Sequence, residues 1–162
     1  MPKLFVYDAY NRQFLVYPDL ALSDPMPYAT GTTLTVREFR GASRASVLWT
    51  TTAAMEAWNL TRRRYGAGIP VGYAFRRIWE GGHGTTSQHY AGVAFDVGQS
   101  SGAAARRRIH AAATATGAWG YVEPLSIPRP GCTLTDATAR RPARTQRPGT
   151  PPAAAATATP MY

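Results

Sequence analysis

Ten residues near the middle of the chain, Ser87-Gln88-His89-Tyr90-Ala91-Gly92-Val93-Ala94-Phe95-Asp96, restrict the local fold more than any other stretch. They read S-x-H-x-x-G-x-A-x-D, with a histidine and an aspartate seven positions apart and a glycine between them. Alternation beyond the glycine predicts a strand over Val93–Val97, with Val93, Phe95 and Val97 on one face and Ala94 and Asp96 on the other. Asp96 then shares a side with the loop that carries His89, Ala94 leaves room beneath them, and Gly92 lets the chain turn without a Cβ clash. Imidazole nitrogen and carboxylate oxygen are both ligands for a borderline-soft divalent metal such as zinc. Taken alone, the two residues suit a satisfied loop histidine and a strand-end carboxylate at least as well; the surrounding sequence decides between the readings.

A length of 162 residues is that of one domain with a tail. The net charge of +9 is carried almost entirely by arginine, Lys3 being the sole lysine. The runs Arg62-Arg63-Arg64 and Arg106-Arg107-Arg108 are expected to be solvated helix faces, so nucleic acid is not an expected partner. Attraction to an anionic polymer such as a cell wall is compatible with the charge. Cys132 is the single cysteine, which excludes an intrachain disulfide and a cysteine-based zinc site. No apolar stretch reaches membrane-spanning length, and the N-terminus lacks a signal peptide's apolar region and cleavage site. The expectation is a soluble chain made in the cytoplasm, with no membrane partner, that reaches a cell wall or the extracellular space only by another export route or by lysis.

Leu4–Tyr7 and Gln13–Tyr17 read as a hairpin across Asp8-Ala-Tyr-Asn-Arg12. Residues 18–31 form a loop, and Thr33–Phe39 is readable as a strand or as the lead-in to a turn. A helix is expected over Thr52–Tyr65, capped by Thr50 or Thr51, with Met55, Trp58 and Tyr65 on one face, Arg62–Arg64 in the last turn and Gly66 as terminator. Ile69–Phe75 reads as a strand, followed by a glycine-rich loop. A second helix, capped by Ser100 or Ser101, runs to about Thr116, with Ala105, Ile109, Ala112 and Ala113 inward, His110 on its flank and Gly117 at its end. Trp119–Leu125 closes the series as a strand. This order is α+β rather than a βαβ repeat. From Pro128 to Tyr162, alanine, proline and threonine make up 22 of 35 residues. Such a composition buries too little surface to offset its ordering entropy, so residues 128–162 are expected to be a disordered tail behind a domain spanning 1–127.

The Ser87–Asp96 pattern resembles the metal motif of the zinc D-Ala-D-Ala carboxypeptidase family of peptidases, most closely the small bacterial and phage branch named for the carboxypeptidase C-terminal domain. Thr33-Leu-Thr-Val-Arg-Glu-Phe39, Ile69-Pro-Val-Gly-Tyr-Ala-Phe-Arg76 and Trp119-Gly-Tyr-Val-Glu-Pro-Leu125 extend the resemblance over nearly all of residues 1–127. It implies a Hedgehog/DD-peptidase-like α+β fold with a central antiparallel sheet, a Zn2+ held by two histidines and an aspartate, and hydrolysis of peptidoglycan stem peptides. By the same resemblance His89 and Asp96 are metal ligands, and Arg76 is a catalytic arginine that holds a substrate carboxylate or polarises the scissile carbonyl. Ser87 and Gln88 are then substrate-binding residues at the rim. A metallopeptidase is one expectation; a non-catalytic cell-wall or peptide-binding module that keeps the pocket is the other.

The departure lies after Leu125. The family's third ligand is a histidine on the last strand, and this chain has no histidine after His110. By position the slot falls near Thr133, a poor zinc ligand, while Cys132 would point to the opposite face of a strand. His83 or Cys132 completing the set is a third reading. One hypothesis for the departure is a one-base change of frame: codons can be chosen for a family-like Pro-Thr-Trp-Val-His-Phe-Asp-Arg-Arg segment that, regrouped, encode Pro-Arg-Pro-Gly-Cys-Thr-Leu-Thr-Asp-Ala, the sequence of residues 128–137, and resequencing the gene around codon 127 tests it. A lost last strand would leave a sheet edge open and the chain prone to self-association.

Overall fold

The computed structural model describes residues 1–27, 33–78, 80, 87–126, 131–136 and 157–159. Strands β1 (Lys3–Asp8) and β2 (Gln13–Tyr17) form the expected antiparallel hairpin, with Leu4 opposite Tyr17 and Asp8 opposite Gln13. Its turn is an Asp-centred one: Asp8 Oδ1 accepts from the Tyr10 N–H at 3.0 Å and Oδ2 from the Asn11 side-chain amide at 2.7 Å.

The ambiguous Thr33–Phe39 segment becomes α1 (Val36–Arg40) because Thr35-x-x-Glu38 is a capping box. The Glu38 N–H donates to Thr35 Oγ1 at 3.2 Å, and Glu38 Oε2 accepts from the Thr35 N–H at 2.7 Å. Next comes β3 (Val47–Thr51), which the local pattern does not announce; it pairs in parallel with β1, Trp49 opposite Phe5. It runs straight into α2 (Thr52–Tyr65), which matches the expected helix at both ends. Thr51 caps it by accepting from the Ala54 N–H at 3.0 Å, and Gly66 ends it in the left-handed region.

Strand β4 (Val71–Tyr73) is shorter than the strand expected over 69–75, because the Phe75 N–H leaves the sheet to donate to the Phe39 carbonyl at 3.0 Å. After a 3-10 turn at Gln88–Ala91 comes β5 (Ala94–Val97), antiparallel to β4. Helix α3 (Ala103–Thr116) starts behind Gly102 without a side-chain cap, rather than behind a capping Ser100 or Ser101, and ends at Gly117 as expected. Ile109, Ala112 and Ala113 are buried; Ala105 and His110 are half-buried. The strand expected to reach Leu125 is β6 (Trp119–Val122) and stops sooner.

The tail departs most from expectation. Residues assigned by composition to disorder form β7 (Cys132–Asp136), which lies between β5 and β6 inside a sheet. Cys132 and Leu134 alternate with Thr133 and Thr135, so a buried apolar face and a half-buried β-branched face follow the strand period even though the composition looks like a linker's. Thr157–Thr159 form β8 on the edge of β2. The remainder of the tail lies outside the described residues. The sheet edge expected to stand open is therefore filled by β7.

Two four-stranded sheets result, β3-β1-β2-β8 and β4-β5-β7-β6. The second is wholly antiparallel; the first contains the parallel β1–β3 pair. The chain is thus α+β. Helix α2 packs against β1, β3, β7 and α3. Beneath β5 the core is aromatic: Phe95 stacks on Trp58 at 5.1 Å between centroids and meets the edge of Trp119 at 5.7 Å. Trp119 Nε1 donates to Thr61 Oγ1 at 2.7 Å, which satisfies both buried polar groups. Among the described residues, no helix is long and apolar enough to cross a membrane.

Candidate metal centre

His89 and Asp96 come together as their spacing predicts. The 3-10 turn opens at Ser87, whose Oγ accepts from the His89 N–H at 3.4 Å, and closes at Gly92 with φ +67°. That glycine is required twice over. Its φ is left-handed, and a Cβ there would meet the Trp49 carbonyl oxygen at 1.7 Å, while its own carbonyl accepts from Thr50 Oγ1 at 2.8 Å. The turn is thereby fastened to β3, and β5 follows with Phe95 and Val97 in the core and Asp96 on the other face.

His89 Nε2 lies 3.4 Å from Asp96 Oδ2. His89 Nδ1 lies 3.0 Å from the Ala74 carbonyl oxygen, which fixes the proton on Nδ1 and turns Nε2 toward the aspartate. Burial pulls the imidazole pKa down, but the Asp96 hydrogen bond and charge, with the Ala74 and Ala94 backbone groups, outweigh it and hold His89 above the usual histidine value. The residue is 5% exposed, so the proton it holds is shielded from water.

The third corner is occupied by Thr133. In the β5–β7 register it stands opposite Asp96, and its Oγ1 donates to Asp96 Oδ1 at 2.7 Å. Behind it Glu123, 4% exposed, accepts the Thr133 N–H on Oε2 at 3.0 Å and donates its own N–H to the Thr133 carbonyl at 2.8 Å. Cys132 points the other way, into the core, where burial and the nearby Glu123 charge push its thiol up to about 11. On the strand it lies on the face opposite Thr133, away from the His89–Asp96 pair.

Two of the donors fit zinc. Atoms bound about 2.05 Å from a tetrahedral ion are about 3.3 Å apart, close to the separation found here. A ligand histidine commonly spends its other nitrogen on a carbonyl, as His89 does on Ala74. The set does not close, because a threonine hydroxyl is a poor ligand and, among the described residues, no group of three His, Cys, Asp or Glu side chains could hold a metal. His83, considered as a substitute, lies outside the described residues.

Arg76 adjoins this pair through the backbone, donating its N–H to the His89 carbonyl at 3.1 Å. Its guanidinium lies over the Tyr73 ring at 4.4 Å, and its buried Nε has no hydrogen-bond partner among the described residues. A carboxylate or carbonyl oxygen would satisfy that donor. Ser87 is half-buried, its hydroxyl spent partly on the turn, and the Gln88 side chain is exposed at the rim. Sequence reasoning missed two supports: the Ala74 carbonyl, a backbone group with no sequence signal, and Glu123, a carboxylate inside a segment otherwise read as strand. No protein-family model, curated protein or solved structure matches the chain.

Proposed function

We propose that the chain is a domain of the zinc D-Ala-D-Ala carboxypeptidase type, with a Hedgehog/DD-peptidase-like fold, that recognises peptidoglycan stem peptides through a metal centre one ligand short. The observation that carries this reading is the His89–Asp96 pair at 3.4 Å with Thr133 hydrogen-bonded to Asp96 at the remaining corner. His89 Nε2 and Asp96 are the residues that would hold zinc, and a bound ion would supply Lewis acidity toward a peptide carbonyl. Arg76 would bind the peptide's terminal carboxylate through its unspent Nε, held in orientation by Tyr73. Ser87 and Gln88 would border the peptide.

The second reading is a stem-peptide-binding module without hydrolysis. It is favoured by one detail: Asp96 already has a partner for each oxygen, His89 on Oδ2 and Thr133 on Oδ1, so the pocket is satisfied without an ion. Zinc titration combined with a chelator-sensitive D-Ala release assay separates the two. Near one-to-one zinc binding abolished by His89→Ala, with D-Ala release, supports the peptidase. Muropeptide affinity lost in Arg76→Ala, without zinc binding, supports the module. Neither metal nor muropeptide binding rejects both.

A further inference from the structure

One arginine from each of the two runs, Arg64 and Arg108, lines a single groove. Helices α2 and α3 pack together, and between the end of α2 and the middle of α3 lies an open cavity of about 450 Å³. Arg64, Tyr65 and Arg108 line it, over a floor that includes Ala111, Ala112 and Ala115. None of the candidate metal-centre residues contributes to it.

Charge is what makes this groove unusual. Arg64, Arg107 and Arg108 are exposed, and among the described residues none of the three takes part in an ion pair. At the end of α2, Arg62–Arg64 complement the negative pole of the helix. On α3 the same chemistry runs against the dipole: Arg106–Arg108 occupy the second turn, near the positive pole, with no acidic residue in the first turn to offset them. Arg106 has a local task, donating Nη1 to the Ser101 carbonyl at 2.6 Å. Among the described residues Arg107 and Arg108 have none, beyond the approach of Arg108 to the Tyr65 ring at 5.9 Å.

We propose that the α2–α3 groove binds the phosphodiester backbone of an anionic polyol-phosphate polymer, of the kind a cell wall presents, with Arg64 and Arg108 as the paired phosphate contacts. The choice of a wall polymer rests on the stem-peptide reading; the anion site itself rests on the groove. Guanidinium forks match phosphate oxygens. The methyl floor admits a slim chain, and the lone aromatic ring at the groove already carries a guanidinium, leaving no platform on which nucleobases would stack. A membrane surface is disfavoured because α3 exposes no large apolar side chain and α2 exposes only Leu60.

The test uses the full chain and purified, deacylated poly(glycerol phosphate), with binding followed by calorimetry across a salt series. Single-stranded DNA, duplex DNA and phosphatidylglycerol vesicles serve as rival probes. Arg64→Gln/Arg108→Gln is expected to weaken poly(glycerol phosphate) binding about tenfold and to lower the salt slope by about 2, whereas the equally charged Arg12→Gln/Arg37→Gln variant, on other surfaces, loses less than about twofold. Equal loss in both variants, no loss in either, no binding by the parent chain, or tighter binding of DNA or vesicles overturns the proposal. Muropeptide binding is measured on the same variants. If it is absent while the arginine-dependent binding stands, the stem-peptide reading has failed and the anion site has not; if it persists while polymer binding ignores Arg64 and Arg108, the reverse holds.

Discussion

Thr133→His should convert the two-donor site into a three-ligand zinc centre. Residue 133 faces Asp96 across the β5–β7 ladder, and its side chain already reaches Asp96 Oδ1 at 2.7 Å. An imidazole there projects to the same side as His89 Nε2 and Asp96 Oδ2, whose 3.4 Å separation is one edge of a tetrahedron around zinc. Four-ligand structural sites bind zinc with about 10–16 kcal/mol, or about 3 kcal/mol per ligand, so a third ligand should tighten binding about 100-fold or more. Without metal the variant should be less stable by about 1–3 kcal/mol, because a charge-assisted hydrogen bond to a half-buried carboxylate is lost. Zinc at a hundredfold excess over Kd should return about 2.7 kcal/mol of that.

Competition against a chromogenic zinc chelator gives the affinity, and urea unfolding with and without zinc gives the linkage. Cys132→His is the control: its side chain points into the core on the opposite face, so it should destabilise the fold without creating a site. The reasoning is refuted if Thr133→His binds zinc no more tightly than the parent chain, if Cys132→His binds equally well, or if adding His89→Ala to Thr133→His leaves the affinity unchanged.

Gly92→Ala should cost more than about 3 kcal/mol by urea unfolding, since it combines a left-handed φ with a Cβ placed 1.7 Å from the Trp49 carbonyl oxygen; a loss under 1 kcal/mol would show that the turn relaxes freely. The His89–Asp96 contact should give stability that is fully present below the unfolded histidine pKa and is lost as pH rises through the higher folded value, because the folded pKa is raised. Unfolding free energies of the parent chain and His89→Gln should therefore converge above that value and diverge below it. Zinc competes with the proton on Nε2, so affinity should rise over the same interval. Thr35→Ala should remove about 1 kcal/mol by deleting the cap of α1, visible as a lower urea midpoint with unchanged slope.

The parts of this fold legible in the sequence are those set by neighbours along the chain. Helix α2 carries its own start at Thr51, its apolar face and its stop at Gly66, so local chemistry delimits it. The His89–Asp96 approach is likewise local: a tight turn through Gly92 and a strand that begins two residues later bring the two side chains together. The capping box at Thr35 and Glu38 was equally available, and it alone distinguishes α1 from a strand. Strand β3 was not legible, because it is defined by parallel pairing with residues more than forty positions away.

Strand β7 shows why composition misled over the tail and what that means for the site. Its place in the sheet is secured by pairing on both sides and by burial of Cys132 and Leu134, neither of which faces the His89–Asp96 pair. Threonines fill the other face, where β-branching suits a strand and one hydroxyl satisfies Asp96. Burial of Cys132 and Leu134 holds the strand in place, while the threonine face supplies the hydrogen bond to Asp96, so the residue at position 133 sets the donor chemistry at that corner and changes stability through that one bond.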